Sequence, residues 1–171
     1  MITQPSILVG TSAGSVCVRV EGKGSFLNSG GLKEFSREMI NRGFREFVVD
    51  LKNCPMMDST FMGTLTAIAL RLAELGQGRL RVTNVNDRNR DLLANLGLDR
   101  LFTIESCTAA AAAVVPPSEQ RPLQVNGADD KSALAKTMLE AHEACVEANP
   151  ENAAKFKDVL EFLKHDLHLA R

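Results

Sequence analysis

The chain has 171 residues, enough for one ordinary domain with an appended segment. Apolar residues make up 44% and charged residues 24%, as in globular proteins, and a net charge of −1 gives no overall basic field for nucleic acid or anionic membrane. No apolar run approaches the roughly 20 residues of a transmembrane helix, and no charged-then-apolar leader begins the chain. We therefore expect a cytoplasmic protein without membrane insertion.

The residue types predict neither a cofactor nor a metal site. The cysteines form no C-x-x-C pair, and no phosphate-loop pattern occurs. Cys17 and Cys54 have apolar neighbours, which indicates small buried thiols. With neither Trp nor Tyr, the chain lacks the usual aromatic platforms for single-stranded nucleic acid, so we expect no nucleic-acid partner.

The first third of the chain predicts a hairpin followed by a helix. The strands are Ile7–Gly10 and Ser15–Val20, joined by a turn-rich segment. Asn28-Ser29 then provides a possible cap for a helix over Leu32–Asn41, with Gly43 as its stop.

The middle of the chain alternates between strands and helices. Phe44–Leu51 contains a continuous apolar run, typical of a central strand covered on both faces. The helix after Ser59 has apolar residues spaced 4, 3, 4, 3 on one face, and Gly76 and Gly78 end it. That apolar stripe comprises Phe61, Leu65, Ile68, Leu72 and Leu75.

Two further strands are predicted at Leu80–Val85 and near Leu101–Ile104. Between them, Asn86-Asp87 caps a short helix that ends at Gly97. Ala109–Ala113, after Ser106, has an excellent helix composition. The alternation implies right-handed crossovers and parallel strands, with the first hairpin at the edge of a mixed sheet.

The C-terminal part predicts a linker and a helical hairpin. Residues 118–130 follow Pro116-Pro117 and form the linker, while Asn149 and Pro150 begin the second helix. Both helices have stripes spaced 4, 3, 4, 3: Leu134, Met138, Ala141, Cys145 and Ala148, then Phe156, Leu160, Leu163, Leu167 and Ala170. An isolated pair of helices buries little, so we expect it to dock on the chain's own domain or to self-associate as a homodimer.

The segment Asp58-Ser59-Thr60, between a buried strand and a helix, is the candidate functional site. A side-chain oxygen there caps the exposed N–H groups of the first helical turn, and the same dipoles tolerate a phosphate. Two interpretations remain open. Ser59 either caps the helix or accepts a phosphoryl group.

A phosphate at Ser59 would act as a charge switch. It adds about −1.5 to −2 charge next to Asp58. Met56, Met57 and Met62 offer an adaptable apolar docking surface, and a partner packed there would have to bury an unpaired dianion. We expect the fold to tolerate the phosphate and the complex to dissociate.

Catalysis by Ser59 is not predicted. A nucleophilic serine needs a base, and His142, His165 and His168 all lie in the C-terminal part of the sequence. His165 and His168 are three residues apart, but no further clustered ligand supports metal binding. We therefore predict no catalytic residue, no metal and no cofactor.

The order of elements and motifs resembles the STAS domain, a family that includes the anti-sigma factor antagonists of bacterial partner switching. Val48-Val49-Asp50-Leu51 followed by Met57-Asp58-Ser59-Thr60-x-x-Gly63 is similar to the family's strand and phosphorylation loop. Asn84-Val85 and Leu96–Phe102 are similar to later parts of its pattern. The resemblance covers roughly residues 5–115. It implies a STAS-like mixed β-sheet with helices (an α/β fold) over residues 1–115, a linker over 116–130 and a C-terminal α-helical hairpin over 131–171.

The resemblance also implies a function in signal transduction and control of transcription. An anti-sigma factor that is also a serine kinase would bind the unphosphorylated chain and phosphorylate Ser59, and a serine phosphatase would reverse this. Asp58, Thr60, Met56, Met57, Phe61 and Met62 would form the partner-binding surface. Phe61 replaces a family glycine, which either alters the approach of the kinase or simply anchors the helix stripe. The alternative function is a scaffold subunit of a transport or signalling complex without phosphorylation.

Overall fold

The computed structural model describes residues 6–12, 14–105, 121–123 and 130–167. The elements in chain order are β1 (Ser6–Ser12), β2 (Ser15–Glu21), α1 (Phe26–Asn41), β3 (Glu46–Asn53), α2 (Ser59–Glu74), β4 (Arg79–Thr83), α3 (Asp87–Asn95), β5 (Thr103–Glu105), β6 (Arg121–Pro122), α4 (Lys131–Ala148), α5 (Asn152–Lys155) and α6 (Lys157–Asp166). Across these residues, none of the helices combines the length and hydropathy needed to span a membrane.

The sheet is mixed and has the strand order β5-β4-β3-β2-β1-β6. β1 and β2 are antiparallel, and β2, β3, β4 and β5 pair in parallel, which confirms the predicted hairpin and parallel strands. The hairpin does not lie at the outer edge. β6, from the predicted linker, pairs with Leu8 and Val9 of β1, and a two-residue strand has too few residues for a periodic signal.

The core lies between the sheet and the helices. Phe47, Val49 and Leu51 of β3 are at most 1% exposed, and Val48 on the opposite face is also buried. The predicted central strand, covered on both faces, is therefore confirmed. Cys17 and Cys54 are buried free thiols, as their apolar neighbours predicted.

The predicted start of α1 was wrong. The helix begins at Phe26, six residues before Leu32, because Ser25 is its N-cap. Ser25 Oγ accepts a hydrogen bond from the Leu27 amide, and Asn28 Oδ1 accepts one from the Ser25 amide. This is a capping box with Asn in the position usually taken by Glu or Gln.

The predicted second C-terminal helix is two helices, α5 and α6. Asn149 is the C-cap of α4, and α5 begins three residues later at Asn152. The Asn149 side chain still accepts a hydrogen bond from the Glu151 amide through Oδ1, while its Nδ2 donates to the carbonyl of Leu96. The predicted helix at Ala109–Ala113 lies outside the described residues. The domain boundaries at 115 and 131 remain a prediction.

Helices α4 to α6, hereafter the C-terminal unit, pack in two ways. Cys145 of α4 is fully buried and belongs to the main core. Ala135, Leu139 and Leu163 form a small separate cluster between α4 and α6. Docking on the chain's own domain was one of the two expected arrangements.

Candidate functional site

Asp58 caps two helices at once. Its Oδ1 accepts a hydrogen bond from the Phe61 amide at 2.9 Å, which caps α2. Its Oδ2 accepts one from the amide of Phe26, also at 2.9 Å, at the start of α1. The capping role therefore belongs to Asp58, and the interpretation that Ser59 caps the helix was wrong.

The loop before Ser59 is held from both sides. The Gly24 amide donates to the Met56 carbonyl at 3.0 Å, and the Asp58 amide donates to the Gly24 carbonyl at 2.9 Å. On the other side, Asn89 Nδ2 donates to the carbonyl of Cys54 at 2.8 Å. The backbone around Ser59 is thus positioned by contacts with Gly24, in the loop before α1, and with α3.

Phe61 fills the space next to Gly24. Its side chain is fully buried, and a Cβ atom on Gly24 would lie 2.6 Å from the Phe61 ring. The residue that replaces the family glycine is therefore a core anchor. Gly24 is required at this contact because of close approach.

The other predicted partner-binding residues meet at the same junction with different exposure. Met57, Thr60 and Met62 are buried, whereas Met56 and Asp58, like Ser59, are partly exposed. Direct contact with a partner in this conformation is open to the partly exposed residues only. Partner binding by the whole set remains a prediction.

Phe26 and Leu27 were missed as site residues. They are 38% and 57% exposed, and the Phe26 amide is bonded to Asp58, so both lie next to the Ser59 junction. The capping-box pattern Ser25-x-x-Asn28 was the signal that would have placed them in the first turn of α1.

A histidine lies against Ser59. Ser59 Oγ is 2.9 Å from Nε2 of His142 in α4, and His142 Nδ1 is 2.6 Å from the carbonyl oxygen of Met138. Because a carbonyl only accepts, Nδ1 carries a proton, and in the neutral ring Nε2 accepts the hydrogen bond from the serine hydroxyl. The expectation that no base lies near Ser59 was wrong, since the contact joins residues 83 positions apart.

α4 approaches α2 closely beyond this pair. A Cβ atom on Gly63 would overlap the carbonyl oxygen of Ala141 and lie 2.5 Å from its carbonyl carbon. Further along the contact, burial raises the pKa of the Cys145 thiol to about 12, and a hydrogen bond to Thr66 opposes this rise. The two helices are therefore in contact along the face of α2 that carries Ser59.

The STAS domain family model matches residues 6–111 of this chain. The chain belongs to the STAS domain family. The C-terminal unit lies outside the match. No significant match exists among curated protein sequences.

Solved structures of anti-sigma factor antagonists share the fold of this STAS domain. A putative antagonist from Thermotoga maritima is 19% identical, with 61% of this chain and 88% of that chain covered and a TM-score of 0.55. Unphosphorylated SpoIIAA is 17% identical, with 63% and 92% covered and a TM-score of 0.56. The phosphorylated form of Bacillus SpoIIAA is 17% identical, with 63% and 96% covered and a TM-score of 0.53.

The C-terminal unit is also attached to the STAS domain away from Ser59. Asn152 Nδ2 donates to the Leu96 carbonyl at 2.9 Å, where α3 ends, and Asn149 Nδ2 reaches the same oxygen at 3.3 Å. On α1, Lys33 forms an ion pair with Glu140 of α4. The unit therefore contacts α1, α2 and the end of α3.

The C-terminal histidine pair is described in part. His165 is exposed on α6, and His168 lies outside the described residues. Among the described residues, no cluster of three His, Cys, Asp or Glu side chains could hold a metal ion.

Proposed function

We propose that this STAS protein is a cytoplasmic anti-sigma factor antagonist in a phosphorylation-controlled partner-switching pathway, with Ser59 as the phosphoacceptor. The observation that carries the proposal is that capping of α2 and the candidate phosphoacceptor belong to different residues, Asp58 and Ser59. Asp58 makes the capping hydrogen bonds, so the Ser59 hydroxyl has no capping role to lose. It occupies the first helical position, where backbone dipoles favour negative charge.

The shared fold supports the regulatory class. The similar structures are described as anti-sigma factor antagonists, and one of them is a phosphorylated form. By position in the motif, the partner would be an anti-sigma factor that is also a serine kinase, and a serine phosphatase would restore binding. The charge added at Ser59 would act on the junction that Asp58 already makes acidic.

The partner-binding surface would combine exposed apolar side chains with Ser59, whose charge changes on phosphorylation. Phe26, Leu27 and Met56 supply exposed or partly exposed apolar area around Ser59. A partner covering them would desolvate Ser59, and a phosphate there would leave a buried dianion without a counter-charge. Binding would therefore be restricted to the unphosphorylated chain.

A hydrolytic function is the rival that the Ser59–His142 pair raises. A serine hydroxyl within hydrogen-bond distance of an imidazole nitrogen is the arrangement of an activated nucleophile. Here, however, His142 is only 2% exposed and α4 lies over it, which restricts the access of a substrate to the imidazole in the docked state. We propose that Ser59 receives a phosphoryl group and that the protein is not an enzyme.

The second candidate is a scaffold subunit that binds through its C-terminal unit. Val159 and Phe162 of α6 are 39% and 69% exposed, which favours a contact at this face. Homodimerisation is one form of such a contact. Sedimentation velocity of the wild type and of Phe162→Ser distinguishes the two states, since a dimer through α6 would become monomeric in the variant.

The proposed function is tested with the kinase-like ATPase encoded nearest to this gene. Incubation with ATP and phosphopeptide mass spectrometry should place phosphate on Ser59, while Thr60→Ala should remain a substrate. In pull-downs, Ser59→Ala should retain the partner and Ser59→Asp should lose it. Equal binding by both variants, or phosphate on another residue, would refute the charge switch.

A further inference from the structure

The Ser59 face of α2 is already occupied by a helix of the same chain. His142 contacts Ser59, Ala141 contacts Gly63, and Cys145 contacts Thr66, so α4 follows one side of α2 for two turns. A protein that binds around Ser59 would need part of the same area.

A phosphoryl group on Ser59 would compete with His142 for the space beside the Ser59 oxygen. That oxygen, which would carry the phosphate, lies 2.9 Å from His142 Nε2, with no room for a phosphoryl group between the two atoms. The imidazole is held from behind by its Nδ1 contact with Met138 and by an edge-to-face contact with Phe156 at 4.8 Å between ring centroids. Both contacts would have to break for the ring to move away from Ser59 while α4 stays docked.

We propose that the C-terminal unit is an internal competitor for the Ser59 face of α2. Docking of α4, phosphorylation of Ser59 and binding of an external partner at this face are mutually exclusive. The identity of the competing partner rests on the proposed function, whereas the exclusion of phosphate by docked α4 does not.

The competition reduces the apparent affinity for any partner. The apparent Kd equals the intrinsic Kd divided by the undocked fraction, so an undocked fraction of about 1% weakens binding about 100-fold. A signal that releases α4 would restore binding without a change in the STAS domain itself. Polar contacts at the periphery, such as the Lys33–Glu140 ion pair, are surface pairs that contribute little to holding the unit in place.

Two glycines provide a matched pair of variants. Gly63→Ala places a methyl group into the Ala141 carbonyl, which forces α4 away from α2. Gly30→Ala on α1 also faces α4, but its Cβ would lie 3.6 Å from Thr137 Oγ1, an ordinary contact. Both changes replace a helical glycine with the best helix former, so the intrinsic effect on the two helices is similar.

The test compares full-length chains by hydrogen–deuterium exchange mass spectrometry. The four samples are the wild type, Gly30→Ala, Gly63→Ala and a chain with genetically encoded phosphoserine at position 59. We expect exchange within α4 to accelerate at least about tenfold in the last two samples and to stay unchanged in Gly30→Ala. Protection of β3 and β4 should be the same in all four, which shows that the STAS domain remains folded.

Wild-type protection of α4 in the phosphoserine chain would overturn the inference, because phosphate and docked α4 would then coexist. Wild-type protection of α4 in Gly63→Ala would also overturn the inference.

The kinase assay then separates this inference from the proposed function. If α4 is released as expected but the kinase phosphorylates neither the wild type nor Gly63→Ala, the proposed function fails and the internal competition stands. If it phosphorylates the wild type as fast as Gly63→Ala, the proposed function stands and the competition fails.

Discussion

Ser59 Oγ lies 2.9 Å from His142 Nε2, and this hydrogen bond joins the first residue of α2 to the middle of α4. The phosphoacceptor candidate of the STAS domain and a buried side chain of the C-terminal unit therefore satisfy each other. Each loses its partner when the two parts separate. The free energy of docking and the accessibility of Ser59 are linked for this reason.

A double-mutant cycle measures that link. Ser59→Ala leaves His142 Nε2 buried without its donor, and His142→Ala leaves the serine hydroxyl without its acceptor and removes the ring contact with Phe156. We expect each change to lower the free energy of unfolding by about 1–3 kcal/mol, with a coupling energy of about 1 kcal/mol. Urea unfolding of the four chains gives the coupling, and additive effects would show that the bond contributes nothing.

The stability lost on substitution of Asp58 should depend on how many of its two hydrogen bonds are removed. Asp58→Ala removes the N-cap of α2 and the acceptor of the Phe26 amide at the start of α1, and we expect a loss of about 2 kcal/mol, at about 1 kcal/mol for each hydrogen bond. Asp58→Asn keeps one acceptor oxygen and presents an amide group in place of the other. Its loss should be about half as large. The urea unfolding midpoints of the two variants test this prediction. An Asn variant as unstable as the Ala variant would contradict separate contributions from the two hydrogen bonds.

The contact between Gly24 and Phe61 predicts a rescue. Gly24→Ala alone places its Cβ 2.6 Å from the Phe61 ring, and we expect overpacking to cost about 1–3 kcal/mol. Phe61→Ala alone empties a fully buried site and should cost about 3–5 kcal/mol. In the double variant the methyl group added at Gly24 lies in the space that the Phe61 ring vacates. The free-energy cost of Gly24→Ala should therefore fall to near zero in this background. Thermal unfolding that shows the same penalty for Gly24→Ala in both backgrounds would contradict this close packing.

Local signals in the sequence predicted the elements that depend on local chemistry. Asn86 caps α3 and Gly97 ends it with a positive φ of 67°, as expected from the residue types alone. The start of α1 was missed because Asn28 replaces the usual Glu or Gln of the capping box. Asn149 accepts a hydrogen bond from the Glu151 amide, as a capping side chain does, but its Nδ2 also donates to a tertiary acceptor, the Leu96 carbonyl. No periodicity encodes such a contact.

The candidate site was predicted in part for the same reason. The Asp58-Ser59-Thr60 segment is contiguous and was recognisable, whereas its partner His142 comes from α4. That pairing depends on how two units dock, and docking depends on the close approach at Gly63 and Ala141. One glycine in a helix does not by itself disclose which helix will pack on it.

Leu27 tests the exposed apolar surface at the start of α1. Because its side chain is 57% exposed, we expect Leu27→Ser to change the free energy of unfolding by no more than about 0.5 kcal/mol. If the surface binds the kinase-like partner, the same change should weaken binding at least about fivefold, a loss near 1 kcal/mol. Isothermal titration with Gly63→Ala as the background removes competition by α4.

Cys145 reports on the docked state through its thiol. Burial holds its pKa at about 12, so below pH 10 the group is almost entirely the unreactive thiol and alkylation of the docked chain should be slow. Release of α4 in Gly63→Ala exposes the thiol and returns its pKa toward the ordinary value of 9.0, which raises the thiolate fraction at pH 8. Because the folded pKa is raised, the associated stability is fully present below pH 9 and is lost as the pH rises toward 12.

Peptide-resolved alkylation at pH 8 should therefore be at least about tenfold faster at Cys145 in Gly63→Ala than in Gly30→Ala, with Cys17 equally slow in both. Equal rates at Cys145 would mean that α4 does not leave α2 when the Gly63 contact is blocked.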